Sequence, residues 1–340
     1  VTPATVGRST IHDVARIAGV STATVSRALT GVKPVSAEVA DRVRAAAREI
    51  GYRPNPAAQT LLRGRSQTVG VVAPDLANPY FAEILKGVSA EASQDGQRTL
   101  VAGTDEDPEQ EYRAALELAR WVDGLLLCAP RMSTPRLKEV AAATRSLVLV
   151  NRLVQHPSVA AVVVDYHRGV RRLCEHLELL GHTRLVYLEG PPHAWSERQR
   201  QRGLRAAEAG GQTIIRIPCG SGTPDGYAAV EAVLAHRPTA LIAFNDNVAL
   251  GALVRLRELG VDVPGELSVA GIDDVPMSSL VDPGLTTLAV PTVELGRLAW
   301  QRFEAEPTSA ATHVPAELVV RGSTAAVPRR RRAQTAAAKR

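Results

Sequence analysis

Residues 10–29 read TIHDVARIAGVSTATVSRAL, two short amphipathic segments joined at one glycine, and no other stretch leaves so few folds open. In the first segment Ile11, Val14, Ala15 and Ala18 share a face at helical spacing. Gly19 stops that helix and supplies the tight turn. Ser21 is placed to cap a second helix, whose inner face is Val25, Ala28 and Leu29. Thr22 then stands at the exposed tip, while Ala23, Ser26 and Arg27 project outward. Two readings fit: a surface helical hairpin, or a helix-turn-helix whose second helix presents its first turns to base edges in the major groove.

A third helix follows, with Ser36 as cap, Val39, Val43, Ala46, Ala47 and Ile50 as buried stripe and Gly51 as terminator. Three helices then close one small core. Asn55-Pro56 reads as the N-cap and first residue of a short helix ending before Gly64, too short to persist alone. Charge is distributed unevenly. Residues 1–66 carry ten Lys/Arg against four Asp/Glu, residues 67–328 carry 24 against 31, and the last twelve carry six against none. A basic module on an acidic body is the footprint of nucleic-acid binding joined to a separate sensing function. The terminal VPRRRRAQTAAAKR lacks apolar periodicity and is expected to be disordered, as a solubilising end or a non-specific polyanion contact.

From Gln67 onward short apolar runs alternate with amphipathic helices. Runs at 69–73, 98–104, 123–130, 147–151 and 161–165 form one set; runs at 185–188, 214–217, 240–244 and 268–272 form another. The expected fold class is an N-terminal all-α helix-turn-helix domain followed by an α/β body of two doubly wound parallel sheets. Ligands of open parallel sheets sit beyond the carboxyl ends of strands. Asp75, Asn151-Arg152, Asp165, Asn245-Asp246 and Asp273-Asp274 cluster there. The chain has no GxGxxG or GxxxxGK[ST] phosphate loop, no metal-ligand spacing and no nucleophile motif. No catalytic residue, metal or cofactor is therefore expected, which counts against an enzyme. Cys128, Cys174 and Cys219 are scattered and read as free thiols in a reducing compartment. No secretory leader and no membrane-length apolar run is read, so a cytoplasmic location is expected.

The succession VAxxAGVSxxTVSRxL, a third helix, YxPN, a short leucine-bearing segment and a strand opening TVGVVAPD resembles the lactose-repressor (LacI/GalR) family of bacterial transcription regulators, from about Thr10 to Ser323. The resemblance implies a disordered N-terminus (1–9), a helix-turn-helix domain (10–53), a hinge helix and linker (54–66) and a disordered basic tail (327–340). Between linker and tail it implies a two-lobed, periplasmic-binding-protein-like effector-binding and dimerisation domain (67–326). Lobe 1 would span about 67–163 and 291–326, and lobe 2 about 164–290. The implied partners are a near-palindromic double-stranded DNA operator, a second copy of the chain and a small-molecule effector, with no membrane. A sugar that releases the DNA is the first expectation; a corepressor such as a nucleobase is the alternative. A transport-type solute-binding protein and an architectural DNA-bending protein are the other classes to separate.

By the same resemblance Thr22, Ala23 and Arg27 would read bases, Arg27 through O6 and N7 of a guanine. A phosphate contact is the alternative for Arg27. Thr10, Ser21, Ser26 and Ser36 would anchor phosphates. Asn55, Ala58, Leu61 and Leu62 would form the minor-groove hinge, with Leu61 as the kinking wedge and Leu62 as its alternate. Asp75, Phe81, Arg152, Ser196, Arg200, Phe244, Asn245 and Asp273 would bind the effector. Tyr166 stands where relatives often carry Asn, so that corner is expected to differ.

Overall fold

The computed structural model describes residues 9–30, 34–52, 65–305 and 311–327. The hinge residues Asn55, Ala58, Leu61 and Leu62, and the tail beyond Val327, lie outside the described residues. The chain divides into two compact units, Val1–Thr68 and Val69–Arg340.

The first unit holds helices α1 (Ile11–Ala18), α2 (Thr22–Thr30) and α3 (Ala37–Glu49). Thr10 starts α1 through a reciprocal box: its backbone N–H donates to Asp13 Oδ2 at 3.0 Å, and its hydroxyl accepts from Asp13 N at 3.4 Å. Gly19 ends α1 at φ +65°, the left-handed conformation that its missing Cβ permits. Ser21 accepts from Thr24 N at 3.1 Å and Ser36 from Val39 N at 3.4 Å, so all three starts are capped. Val14, Val25 and Val43 are fully buried among Ala15, Ala18, Ala28, Ala40, Ala46 and Ala47. Alanine side chains let the helices approach closely, but they leave little apolar area to bury. Ser9 donates to Ile50 O at 2.6 Å, a side-chain tie from ahead of α1 to the end of α3.

The second unit contains two six-stranded sheets. Lobe 1 is built on β1 (Thr68–Ala73), β2 (Arg98–Gly103), β3 (Gly124–Cys128), β4 (Leu147–Val150), β5 (Val159–Val164) and β11 (Ala311–Val314), ordered β11-β5-β4-β3-β1-β2. Its helices are α4 (Pro79–Gln94), α5 (Pro108–Leu118), α6 (Thr134–Ala143) and α12 (Thr292–Glu304). Lobe 2 is built on β6 (Arg184–Glu189), β7 (Thr213–Pro218), β8 (Ala240–Ala243), β9 (Ser268–Asp273), β10 (Thr286–Ala289) and β12 (Glu317–Val319), ordered β12-β10-β9-β8-β6-β7. Its helices are α7 (Tyr166–Leu179), α8 (Trp195–Ala209), α9 (Thr223–Ala228), α10 (Val230–Ala235) and α11 (Asp246–Glu258). The inner strands are continuous apolar runs because helices cover both faces.

The chain crosses between lobes three times. Two crossings come after Val164 and near Val290. The third corrects the assignment of 291–326 to lobe 1. β11 pairs parallel with β5, but β12 pairs antiparallel with β10, so the chain returns to lobe 2 between Val314 and Glu317. Alternation is too short in a three-residue edge strand to reveal its partner from sequence. Val327 is buried and donates to Leu180 O at 2.9 Å, which extends the body one residue past the expected limit of 326.

In lobe 1, α4 and α12 cross backbone to backbone. A Cβ on Gly87 would lie 2.1 Å from Val293 O, and one on Gly296 would lie 2.1 Å from Ile84 O. Neither oxygen can move without breaking its own helix. Gly296→Ala is therefore expected to destabilise the body by about 1–3 kcal/mol, as overpacking does. Chemical denaturation checks this; a wild-type midpoint would mean that the two helices separate freely.

Candidate functional site

On the first unit, α2 exposes Ala23 and Arg27, with Thr22 and Ser26 half-buried beside them. Among the described residues the ion pairs here are Arg16–Asp13, Arg42–Glu38 and Arg44–Asp41, and Arg27 takes part in none of them. Its guanidinium is thus displayed on the helix face opposite Val25 and Ala28. Thr10, Ser21 and Ser36 lie at the starts of α1, α2 and α3, where backbone N–H groups and the positive helix ends favour a phosphate. The Thr10 hydroxyl already donates to Asp13 Oδ2 at 2.8 Å. Those same hydrogen bonds from Thr10 hold the Asp13 carboxyl below its ordinary value, so a negative charge persists beside Thr10.

On the second unit, a cleft lies between the lobes at the carboxyl ends of the strands, with about 340 Å³ of space within its lining, part of it open to solvent. Four of its lining residues, Glu106, Ala129, Asn151 and Asp273, have left-handed backbone φ of +61°, +44°, +53° and +119°. Side-chain-bearing residues adopt this region at a cost, and here it turns the chain sharply off a strand into the cleft.

Arg200, on α8, is the centre of the lobe 2 wall and only 2% exposed. Its Nη2 lies 3.5 Å from Asp273 Oδ1, and its Nη1 donates to Ser196 Oγ at 3.3 Å. Its Cζ lies 4.3 Å from the Tyr166 ring centroid and 4.1 Å from that of Phe244. These contacts replace part of the lost hydration of a buried cation. The Nε of Arg200 and Oδ1 of Asp273 still lack a hydrogen-bond partner. Burial pushes the Asp273 carboxyl well above its ordinary value, against the pull of Arg200. Burial also pushes the Tyr166 phenol up to about 12. Both phenols therefore remain neutral hydroxyls: Tyr166 lies 3.2 Å from Tyr80 Oη, and Asn151 Nδ2 donates to that same oxygen at 2.6 Å.

Of the expected effector residues, Phe81, Ser196, Arg200, Phe244, Asn245 and Asp273 line this cleft, whereas Asp75 and Arg152 do not. Asp75 accepts from Ala77 N at 2.8 Å and forms a turn. Arg152 is buried beside the cleft, with Nη2 3.3 Å from Thr134 Oγ1. Asn245 divides its amide: Oδ1 caps α11 through Val248 N at 2.9 Å, and Nδ2 donates to Ser221 O at 2.9 Å. Sequence reasoning missed Asn78, Tyr80, Glu106, Arg131 and Ser221 as lining residues. Glu106 and Arg131 follow β2 and β3, and the strand-end rule applied evenly would have reached them. Among the described residues no cluster of three His, Cys, Asp or Glu could hold a metal, and no helix is long and apolar enough to cross a membrane.

Comparison with known proteins assigns both units. Residues 10–55 match "Bacterial regulatory proteins, lacI family", and residues 174–324 match "Periplasmic binding protein-like domain". The transcriptional regulator GalS of Salmonella typhimurium is 35% identical over 297 residues, covering 85% of this chain and 87% of GalS. The lac repressor dimer bound to operator and the anti-inducer ONPF matches with a TM-score of 0.83 at 29% identity, over 94% of this chain and 100% of that one. A LacI-family regulator of Enterococcus faecium with bound ribose matches with a TM-score of 0.69 at 28% identity, over 77% and 100%. A helix-turn-helix unit joined to a two-lobed α/β body defines a DNA-binding transcriptional regulator. The chain belongs to the LacI family.

Glu111 supports the cleft from behind. Its Oε2 accepts from Arg131 N at 2.8 Å and Met132 N at 2.7 Å, while burial pushes its carboxyl from the usual 4.5 up to about 7. The folded state thus holds this proton more tightly than the unfolded chain does. The resulting stability is complete below about pH 4.5 and is lost as pH rises to about 7, a change on the order of 3 kcal/mol. Glu111→Gln keeps the acceptor and removes the titration. The difference in unfolding free energy between wild type and variant is expected to shift in the variant's favour across that window; a difference independent of pH would show that Glu111 does not titrate there.

Proposed function

We propose that the protein is a homodimeric repressor whose hold on a near-palindromic operator is released by a sugar bound between the lobes. The observation that carries the sugar reading is the pair of buried atoms without a hydrogen-bond partner, Arg200 Nε and Asp273 Oδ1, beside Phe81 and Phe244. A guanidinium offers paired donors, a carboxylate paired acceptors, and a vicinal diol satisfies both at once. The aromatic side chains suit the C–H face of the ring. The ribose-bound regulator supports the same ligand class. A ligand touching both lobes favours one arrangement of them, and unequal affinity for the DNA-competent and DNA-incompetent arrangements is what makes it a switch. Thr22, Ala23 and Arg27 are assigned to base reading. Thr10, Ser21, Ser26 and Ser36 are assigned to phosphates.

Two sets of variants test this reading. Arg27→Ala should cost about 1–3 kcal/mol of operator affinity and relax the preference at one guanine per half-site. Ser36→Ala should weaken all sequences alike. Binding-site selection from random DNA reads both, and a uniform loss for Arg27→Ala would make it a phosphate contact. Asp273→Ala and Arg200→Ala should still bind operator, but need roughly 10²-fold more sugar for release, because each strands a buried polar partner. Release at the wild-type sugar concentration would place the effector elsewhere.

A further inference from the structure

We infer that the effector is uncharged, and that Glu106 and Arg131 form a second gripping pair for its hydroxyls, opposite Arg200 and Asp273. This rests on the sugar reading and narrows it. Glu106 and Arg131 come from lobe 1, on the loops after β2 and β3. Arg131 is buried and forked onto Glu106, with Nε 2.5 Å from Oε2 and Nη2 2.9 Å from Oε1. Its Nη1 donates to Ala129 O at 2.7 Å, and its backbone N–H is held by Glu111. The guanidinium is therefore fixed in orientation before any ligand arrives. Glu106 retains acceptor capacity toward lobe 2, where the Ser221 hydroxyl donates to Oε1 at 3.4 Å. The carboxylate thus already takes a hydroxyl from across the cleft, as it would from a sugar.

Charge accounting selects the ligand class. The ionisable side chains lining the cleft are Glu106, Arg131, Arg200 and Asp273, two acids and two bases, with burial pushing Asp273 toward its neutral form against the pull of Arg200. Each lobe contributes one guanidinium and one carboxylate, and the other polar lining groups are amides and hydroxyls. A hydroxyl can accept from a guanidinium and donate to a carboxylate without adding charge. A phosphate or carboxylate would confront Glu106 or Asp273, while both cations are already engaged. The counter-argument is Arg152. It is 5% exposed, its Nε has no partner, and no carboxylate lies within salt-bridge distance among the described residues. It does not line the cleft; burial and the like charge of Arg198 work against its charged form, Glu111 opposes them and Arg131 adds to them. An acidic ligand would have to place its charge there.

The test is calorimetric titration of the full chain with D-ribose, D-glucose and D-galactose, the 5-phosphate of ribose, the 6-phosphates of glucose and galactose, and the three corresponding aldonates. At least one neutral sugar should bind, with its phosphate and acid weaker by about tenfold or more, the cost of one unfavourable charge contact. Glu106→Gln frees the Arg131 charge and should shrink that preference at least tenfold, while Glu106→Asp should keep it. A phosphate or aldonate binding more tightly than its parent sugar overturns the inference and leaves the sugar reading standing. Equal losses for neutral and acidic ligands in Glu106→Gln reduce the pair to a structural brace and overturn its gripping role. Silence from every compound removes the sugar reading, and this inference with it.

Discussion

A guanidinium with almost no exposure to water cannot remain charged unless its surroundings replace the hydration it lost, and Arg200 imposes that demand on the whole body. Each compensating group comes from a different place. Ser196 lies one turn earlier on α8, Asp273 ends β9, Phe244 follows β8, and Tyr166 opens α7. Phe244 reaches its position because residue 190 is glycine; a Cβ there would lie 2.1 Å from the ring. Tyr166 then carries the network to Tyr80 and Asn151 in the other lobe. The interlobe network is thereby polar and specific, while one cluster of buried apolar residues, including Val71 and Leu126 of lobe 1 and Leu185 and Ile242 of lobe 2, runs through both lobes.

The polar groups of a parallel sheet collect at its carboxyl edge, and here that edge serves two purposes. Asn78, Asp107, Asp165 and Asn245 cap the helices that leave the strands. Asp246 is buried in lobe 2, where it accepts from Val275 N at 3.0 Å, Ser278 Oγ at 2.6 Å and Thr287 Oγ1 at 2.6 Å. Capping and bracing fix the loop geometry, and the left-handed residues Glu106, Ala129, Asn151 and Asp273 then direct the chain into the cleft. The loops lining the cleft are thus fixed by their own hydrogen bonds, and a ligand proposed to bind there need not order them as well.

The helix-turn-helix unit follows a different economy. Its core is three valines and a set of alanines, and a reciprocal cap at Thr10 with N-caps at Ser21 and Ser36 adds to what so small a core supplies. Ala23 and Arg27 are exposed on the outward face of α2, away from the buried Val25 and Ala28.

Much of this was legible in sequence because it depends on local periodicity and chain punctuation. Gly19, Ser21 and the spacing of Val14, Val25 and Val43 define the first unit within a few turns of helix. The apolar runs define most of both sheets, since a strand buried on two faces can tolerate little else. The resemblance carried Ser196, Arg200, Phe244, Asn245 and Asp273 to a common site. Proximity between distant segments was not legible. Only the folded chain decided that β12 leaves lobe 1 for the edge of β10. It also decided that Asp75 closes a turn while Glu106 and Arg131 join the cleft, and that Tyr166 meets Tyr80 across 86 residues of sequence. A carboxylate at a strand end can cap, turn or bind with the same local sequence around it. Its role follows from which charge and which donor the rest of the chain brings within about 3 Å, and hydrogen bonding that short-ranged is set by tertiary packing alone.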